Sequence, residues 1–163
     1  MLEHIALGPI PEEDWIPFLL DRAKSAGRPF NDELSAKKIY AKAGPIPFDI
    51  QQLAYEAFNQ AAKKIDDDAV SSALSELVRH RSADYAITFE RLAPGSRRVL
   101  QAFAEGSKGS IGSAAFATQT KLANAASVQR ALTPLKENEL VVLQNGEYMV
   151  DDPFFAVWLR SSY

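Results

Sequence analysis

Residues 127–160 read SVQRALTPLKENELVVLQNGEYMVDDPFFAVWLR and contain three successive structural patterns. The first is helical, because apolar side chains recur every three or four residues and leave polar side chains on the other faces. Those apolar positions are Val128, Ala131, Leu132 and Leu135. The second pattern is a hairpin, because two short β-prone runs, Leu140 to Leu143 and Tyr148 to Val150, flank the turn dipeptide Asn145-Gly146. The third is a closing helix that begins at Asp152-Pro153.

Two further helices are predicted upstream, at Ser96 to Ala104 and at Ala114 to Lys121, joined by the glycine-rich stretch EGSKGSIG. Asn124 is expected to cap the next helix with its side-chain oxygen. Pro134 is expected to kink that helix or to end its regular part at Thr133. Three helices, a hairpin and a closing helix follow the order of a winged helix-turn-helix domain, with the hairpin as its wing.

The first part of the chain is predicted to be entirely helical. Proline, glycine and acidic residues mark its helix boundaries, and Asn31 or Asp32 is expected to cap the second helix. A third helix is predicted from Phe48 to Ile65 and a long one from Ala69 to Leu92. The Ala-Pro-Gly-Ser turn that follows, in which Ser96 is expected to cap the next helix, predicts a domain boundary. The sequence therefore predicts a mainly α chain with a helical domain at 1–92 and a winged helix at 93–163.

Composition excludes several classes of protein. The chain has 163 residues, of which 47% are hydrophobic and 24% charged, as in globular domains. No apolar run is long enough for a membrane span, the start lacks the pattern of a signal peptide, and there is no cysteine. A cytoplasmic location without membrane contact is the expectation. Residues 1–91 carry a net charge of −4 and residues 92–163 a net charge of +1, which favours only weak or assisted binding to DNA.

Catalytic and metal-binding patterns are missing from the sequence. Asp66, Asp67 and Asp68 are interpreted as a helix start rather than a metal site, because negative charge is favoured at a helix N-terminus. The two histidines, His4 and His80, are far apart along the chain, and without cysteine they do not suggest a zinc site. The sequence contains neither a G-x-x-x-x-G-K-[ST] phosphate loop nor a G-x-S-x-G nucleophile turn. We therefore expect no enzymatic activity and no resident metal or cofactor.

Nearly the whole chain resembles the C-terminal region of archaeal-type P-loop ATPases of the STAND branch of the AAA+ superfamily. The ending GEYMVDDPFFAVWLR and the helix start SVQRAL carry the resemblance, with a weaker match at GPIPFDIQQL, residues 44–53. The resemblance implies a helical lid followed by a winged helix, after a nucleotide-binding core that this chain lacks. Residues 5–10 resemble the junction between core and lid, so the chain is expected to be either a fragment of an ATPase or a degenerate relative. ATP and magnesium are expected only with an upstream core.

In that family the proline of the lid turn packs near the bound adenine, and the resemblance assigns this place to Pro47, followed by Phe48 and Gln51. The sequence departs from the family pattern, with Pro45 in place of glycine and Ile46 in place of histidine or asparagine. The alternative is that the Pro-x-Pro turn only starts a helix.

Two functions from different classes remain open. In the first, the winged helix binds double-stranded DNA, and the side chains expected at bases or phosphates are Lys121, Ser127, Gln129, Arg130, Thr133, Lys136, Gln144 and Asn145. In the second, it is a protein-interaction or regulatory module that packs on the missing ATPase core or on a partner chain. The near-neutral charge and Glu147 in the wing favour the second.

The closing helix is too apolar to face solvent on every side, since it carries Phe154, Phe155, Val157, Trp158 and Leu159. It is expected to seal the core, with Tyr85, Phe89 and Leu92 as partners. The alternative is that part of this helix faces the lid or a second copy of the chain, which would give a homodimer.

Overall fold

A computed structural model describes residues 10–107 and 111–162, which contain eight helices and one antiparallel hairpin. The elements, in chain order, are α1 Glu12–Ser25, α2 Glu33–Ala43, α3 Pro47–Gln60, α4 Asp67–Glu90, α5 Pro94–Ala104, α6 Ala114–Gln119, α7 Ala125–Glu137, β1 Val141–Gln144, β2 Glu147–Val150 and α8 Pro153–Ser162. The predicted mainly α class is confirmed. Three predicted features lie outside the described residues: residues 5–9 of the core-to-lid junction, His4, and residues 108–110 of the glycine-rich stretch.

The chain divides into two compact units, an N-terminal unit up to Arg79 and a C-terminal unit from His80 onward. The domain boundary was predicted after Leu92, at the turn that follows α4. The division between the two units falls earlier, inside α4. The last turns of α4 belong with the C-terminal unit, since Tyr85 stacks on Phe155 at 4.8 Å between ring centroids and Phe89 meets Trp158 edge-on at 5.9 Å.

The helix boundaries of the N-terminal unit follow local chemistry. Pro11 precedes α1, whose first turn carries three acidic residues, as expected near the positive end of the helix dipole. Asp32 caps α2 by accepting a hydrogen bond from the Ser35 amide at 2.8 Å. Gly44, at a φ of 72°, ends that helix, and Pro47 occupies the first turn of α3. These predicted boundaries are confirmed.

The prediction that α3 continues to Ile65 was wrong, because α3 ends at Gln60. Ile65 is almost fully buried and pairs in a parallel β-bridge with Phe30. Its amide donates to the Pro29 carbonyl at 3.0 Å and its carbonyl accepts from the Asn31 amide at 2.8 Å. These contacts require extended backbone, so burial and pairing override helical periodicity here. Asp66 then caps α4 by accepting from the Ala69 amide at 2.9 Å, as its capping interpretation predicted.

The C-terminal unit confirms the predicted order of helices and wing, with three local corrections. Ser96 does not cap α5, which begins earlier at Pro94; its buried hydroxyl donates to the Ala131 carbonyl at 2.8 Å instead. Pro134 does not end α7, which continues to Glu137. Leu132 and Leu135 on either side of Pro134 are buried, and this packing offsets the hydrogen bond that proline cannot donate. The second predicted helix ends at Gln119, two positions before Lys121.

The hairpin and α8 complete the C-terminal core. β1 pairs with β2 so that Gln144 faces Glu147, and the two turn residues Asn145 and Gly146 have φ of 52° and 82°, the positive values that a tight hairpin turn requires. Asp152 caps α8 by accepting from the Phe154 amide at 2.8 Å. Among the described residues, no helix is both long enough and apolar enough to cross a membrane.

Candidate nucleic-acid interface

α7 is amphipathic and presents one polar face to solvent. Its buried stripe consists of Val128, Ala131, Leu132 and Leu135. The predicted DNA-contacting residues of this helix lie on the remaining faces, where Gln129, Arg130, Thr133 and Lys136 are exposed and Ser127 is half-buried. The helical spacing thus brings these five side chains together on one surface, which we call the α7 face.

The N-terminal end of the α7 face is organised by a chain of hydrogen bonds. The Asn124 side-chain oxygen accepts from the Ser127 amide at 3.0 Å and from its hydroxyl at 3.2 Å. The Arg130 guanidinium donates to the Ser127 hydroxyl oxygen at 3.0 Å. The cap therefore also orients Arg130, whose other N–H groups remain available for a base edge or a phosphate.

The C-terminal end of the face is linked to the wing. The Thr133 hydroxyl donates to the Gln129 carbonyl at 3.0 Å, which uses its proton and leaves its oxygen lone pairs as acceptors. The Lys136 ammonium lies 5.9 Å from the centre of the Tyr148 ring on β2, within the range of a cation–π contact. Lys136 therefore stands where α7 meets the hairpin.

The remaining predicted contacts lie at turns. Lys121 is exposed, with a φ of 53°, between α6 and α7. At the wing tip Asn145 is exposed, whereas Gln144 is half-buried. The structure therefore presents Lys121 and Asn145 to solvent and leaves Gln144 only partly accessible.

Charge on this side of the unit is mixed. Three cations, Lys121, Arg130 and Lys136, precede or belong to α7, and no acidic residue occurs from Lys121 to Lys136. Acidic residues begin at the far end of the helix, with Glu137 and Glu139, and continue at Glu147 on the wing; all three are exposed. The cations of this stretch therefore run from Lys121 to Lys136, and acidic side chains follow them directly from Glu137 onward.

Sequence reasoning missed the outer surface of the wing. Val142 and Met149 are 39 and 42% exposed, and Leu143, nearer the turn, is 56% exposed. Val142 and Met149 face each other across the hairpin, so they form one apolar patch. The alternation of side chains along a strand was the signal that could have found it, because Val141 and Val150 occupy the opposite, buried face.

The residues predicted to sense nucleotide lie in the N-terminal unit. Pro47 is in the first turn of α3, where proline favours helix initiation. Phe48 and Gln51 line an open groove between α1 and α3, and Phe48 is 67% exposed. Their role toward nucleotide stays a prediction.

Comparison with known proteins agrees with this architecture. Residues 83–161 match the family model described as "Probable winged helix domain". A Walker-type ATPase of Pyrococcus abyssi has a similar structure, with a TM-score of 0.65 and 18% sequence identity over 93% of this chain and 42% of the ATPase. The chain thus spans less than half the length of that protein, and no curated protein matches it significantly in sequence. The expected resemblance to archaeal P-loop ATPases is confirmed at the level of the fold. The C-terminal unit is a winged helix domain, carried by a chain whose fold matches part of an archaeal Walker-type ATPase.

Proposed function

We propose that this chain is the winged helix module of a P-loop ATPase and that the α7 face binds double-stranded DNA. The observation that carries the proposal is the exposed, acid-free surface from Lys121 to Lys136, which combines cations with side chains that hydrogen-bond to bases. In winged and other helix-turn-helix domains the corresponding helix enters the major groove. ATP hydrolysis with magnesium is assigned to a core in the parent protein, because this chain has no phosphate loop.

The orientation of Arg130 supports the DNA-binding role. A guanidinium that is already held by Ser127 loses less side-chain freedom when it meets a guanine edge. Gln129 is exposed one position earlier and has the donor and acceptor that adenine recognition needs. Both side chains are therefore candidates for base contacts, while Lys121 and Lys136 are candidates for phosphate contacts.

The charge distribution predicts moderate affinity with a defined salt dependence. If Lys121, Arg130 and Lys136 each neutralise one phosphate, the logarithm of the binding constant falls with the logarithm of salt concentration at a slope of about −3. Glu147 on the wing opposes closer approach of the wing to the backbone. Binding is therefore expected to be clear at low salt and weak at physiological salt.

A salt titration with a mixed-sequence, fluorescein-labelled duplex tests this function. We expect the double variant Arg130→Ala, Lys136→Ala to weaken binding at least about tenfold and to make the salt slope shallower by about 2. The control Lys63→Ala, Lys64→Ala removes the same charge from two exposed positions of the N-terminal unit and is expected to bind like the wild type. Absence of binding at low salt, or equal losses in both double variants, would reject the α7 face as a DNA site.

The wing favours a second candidate function, a protein-facing module. Its outer surface exposes Val142 and Met149 beside Glu147, a combination suited to protein contact rather than to phosphate. This candidate predicts that Val142→Thr with Met149→Gln leaves DNA binding unchanged but weakens association with a purified ATPase core of the parent protein, measured by calorimetry. Unchanged association in that variant would reject the wing as the contact.

A further inference from the structure

The N-terminal unit contains an open groove between α1 and α3 that the proposed DNA-binding function does not use. Its volume is about 1030 Å³, and Phe30 and Ile65 contribute buried side chains to its lining. We call it the α1–α3 groove. Aromatic side chains from both helices line it: Phe18, Phe48, Tyr55 and Phe58.

The aromatic side chains of α3 form a second apolar stripe, apart from the stripe that faces the core, and α1 adds Phe18 to the same groove. On α3 the core stripe is Ile50, Leu53 and Ala57, all fully buried, whereas Phe48 is 67% and Tyr55 68% exposed. On α1, Phe18 is 45% exposed although its neighbour Leu19 is buried. Large aromatic side chains gathered on one exposed surface mark a contact surface more often than scattered ones do.

The groove has the length and polarity of a helix-binding site. Residues 48 to 58 of α3 extend over about 15 Å, about three turns of a helix laid alongside. The polar side chains of the lining, Arg22, Ser25, Gln51 and Gln52, are exposed or half-buried. A small-molecule site needs a few buried polar groups to fix its ligand's orientation, and this lining supplies none. Apolar anchors at helical spacing suit such a groove better.

The charged side chains at the groove indicate which kind of partner helix would bind there. Arg22 lines the groove with its guanidinium 5.8 Å from the centre of the Phe18 ring. Arg28 stacks on Phe58 at 5.0 Å and donates to the Phe58 carbonyl at 2.8 Å. The groove-lining residues include no aspartate or glutamate, although the chain as a whole has a net charge of −3. Arg22 therefore stands at an aromatic wall of the groove, and Arg28, which is outside its lining, stands on the lining residue Phe58, so an acidic partner would meet both cations.

We infer that the α1–α3 groove docks an amphipathic helix of a partner protein, with apolar side chains in the groove and carboxylates beside Arg22 and Arg28. The inference is independent of DNA binding, because every residue that carries it belongs to the N-terminal unit. The partner helix presents apolar anchors at i, i+4 and i+7, the spacing that fits a groove between two helices.

Fluorescence anisotropy with two synthetic helical peptides of about 15 residues tests this inference. Both peptides carry leucine and phenylalanine on one face, and they differ only in having glutamate or lysine at the flanking positions. We expect the glutamate peptide to bind the full chain at least about tenfold more tightly than the lysine peptide. Equal affinity for the two peptides, or no binding of either, would overturn the proposal.

Matched variants locate the binding. Phe48→Ser removes an exposed side chain of the groove, and it is expected to lower the affinity for the glutamate peptide at least about tenfold. Leu34→Ser removes a side chain that is 70% exposed on α2, outside the groove, and is expected to change nothing. Arg22→Gln is expected to lower the preference for glutamate over lysine while retaining binding. If Leu34→Ser lowers the affinity for the glutamate peptide as much as Phe48→Ser does, the binding is nonspecific and the groove is not the binding site.

Discussion

The two units of this chain place their aromatic side chains differently. In the C-terminal unit, Tyr85, Phe155 and Trp158 form one buried cluster with polar partners. The core of the N-terminal unit holds two buried aromatic side chains, Trp15 and Phe30, and otherwise consists of aliphatic residues and alanine, while Phe48 and Tyr55 face solvent. The difference indicates that a buried aromatic cluster stabilises the C-terminal unit, whereas several aromatic side chains of the N-terminal unit stay at its surface.

The two units also differ in whether the polar atoms of their buried aromatic side chains have hydrogen-bond partners. The Trp158 indole N–H donates to the Ser82 hydroxyl at 2.9 Å, and the Tyr85 hydroxyl donates to the Asp152 carboxylate at 2.8 Å. Burial raises the pKa of that hydroxyl, so Tyr85 stays protonated and continues to donate. The Trp15 indole N–H, buried in the N-terminal unit, has no hydrogen-bond partner among the described residues.

The largest expected effect comes from Trp158→Ala. Removal of this buried side chain leaves a cavity in the aromatic cluster and lowers the free energy of unfolding of the C-terminal unit by about 4 kcal/mol. The exposed aromatic Tyr55 gives the contrast, since Tyr55→Ala is expected to change the free energy by less than about 0.5 kcal/mol. Urea unfolding and hydrogen exchange of α5 to α8 measure both. If the two variants lost similar free energy of unfolding, the buried cluster would stabilise the protein no more than the exposed aromatic side chain does.

The second prediction compares the two tryptophans, one in each unit. Trp158→Phe loses the bond to Ser82 along with ring volume and is expected to cost about 2 kcal/mol. Trp15→Phe removes an indole N–H that has no partner, so relief from burying that group offsets part of the lost packing, and we expect a cost below about 1 kcal/mol. Thermal unfolding by circular dichroism measures both. A larger loss for Trp15→Phe would show that its indole N–H is satisfied.

A smaller effect is expected at the start of the α7 face. Asn124→Ala removes the cap and lowers the free energy of unfolding by about 1 kcal/mol, whereas Asn124→Asp retains an accepting oxygen and is expected to be neutral. Because the same cap positions Ser127 for Arg130, Asn124→Ala should also weaken DNA binding under native conditions. Full binding in a folded Asn124→Ala variant would show that Arg130 needs no orientation by Ser127.

The smallest expected effect is an acid dependence in the N-terminal unit. Hydrogen bonds from the Ser35 amide and hydroxyl lower the pKa of Asp32 below its ordinary value of 3.8. The stabilisation is therefore present above that value and is lost as pH falls through the lower folded pKa. The urea midpoints measured at about pH 6 and about pH 3 should differ less in Asp32→Asn than in the wild type, because asparagine caps without titrating. Equal pH dependence in the two proteins would contradict this.

Much of the C-terminal unit could be predicted from local signals. The dipeptide Asn145-Gly146 predicted the position of the turn, and Asn124 predicted the start of α7. The apolar residues of α8 indicated that this helix packs on the end of α4. These signals work because each depends on backbone geometry or on one helical face. The error at Ser96 has another origin, since its hydroxyl on α5 donates to the Ala131 carbonyl on α7, a contact that no local pattern contains. The expected end of α7 at Thr133 was wrong because Leu132 and Leu135, on either side of Pro134, are buried.

The two candidate sites also differ in whether local sequence signals could predict them. The exposed side chains of the α7 face were predictable, because a buried stripe implies an opposite polar face. The α1–α3 groove was not, because it depends on how two helices approach each other and on the extended segment that places Phe30 beside Ile65. Only the outward position of Phe18 and Tyr55 relative to the core stripes hinted at it in the sequence.

The C-terminal unit anchors its polar side chains on main-chain carbonyls. Ser96 donates to the carbonyl of Ala131, Arg98 to that of Thr120 at 2.8 Å, and Arg160 to that of Ala104 at 2.6 Å. A carbonyl is present whatever residue occupies its position, so the anchor of Ser96 on α7 does not depend on the side chains of that helix. The outer residues of that helix can therefore be exchanged, by evolution or by an engineer, while the scaffold that holds them keeps its shape.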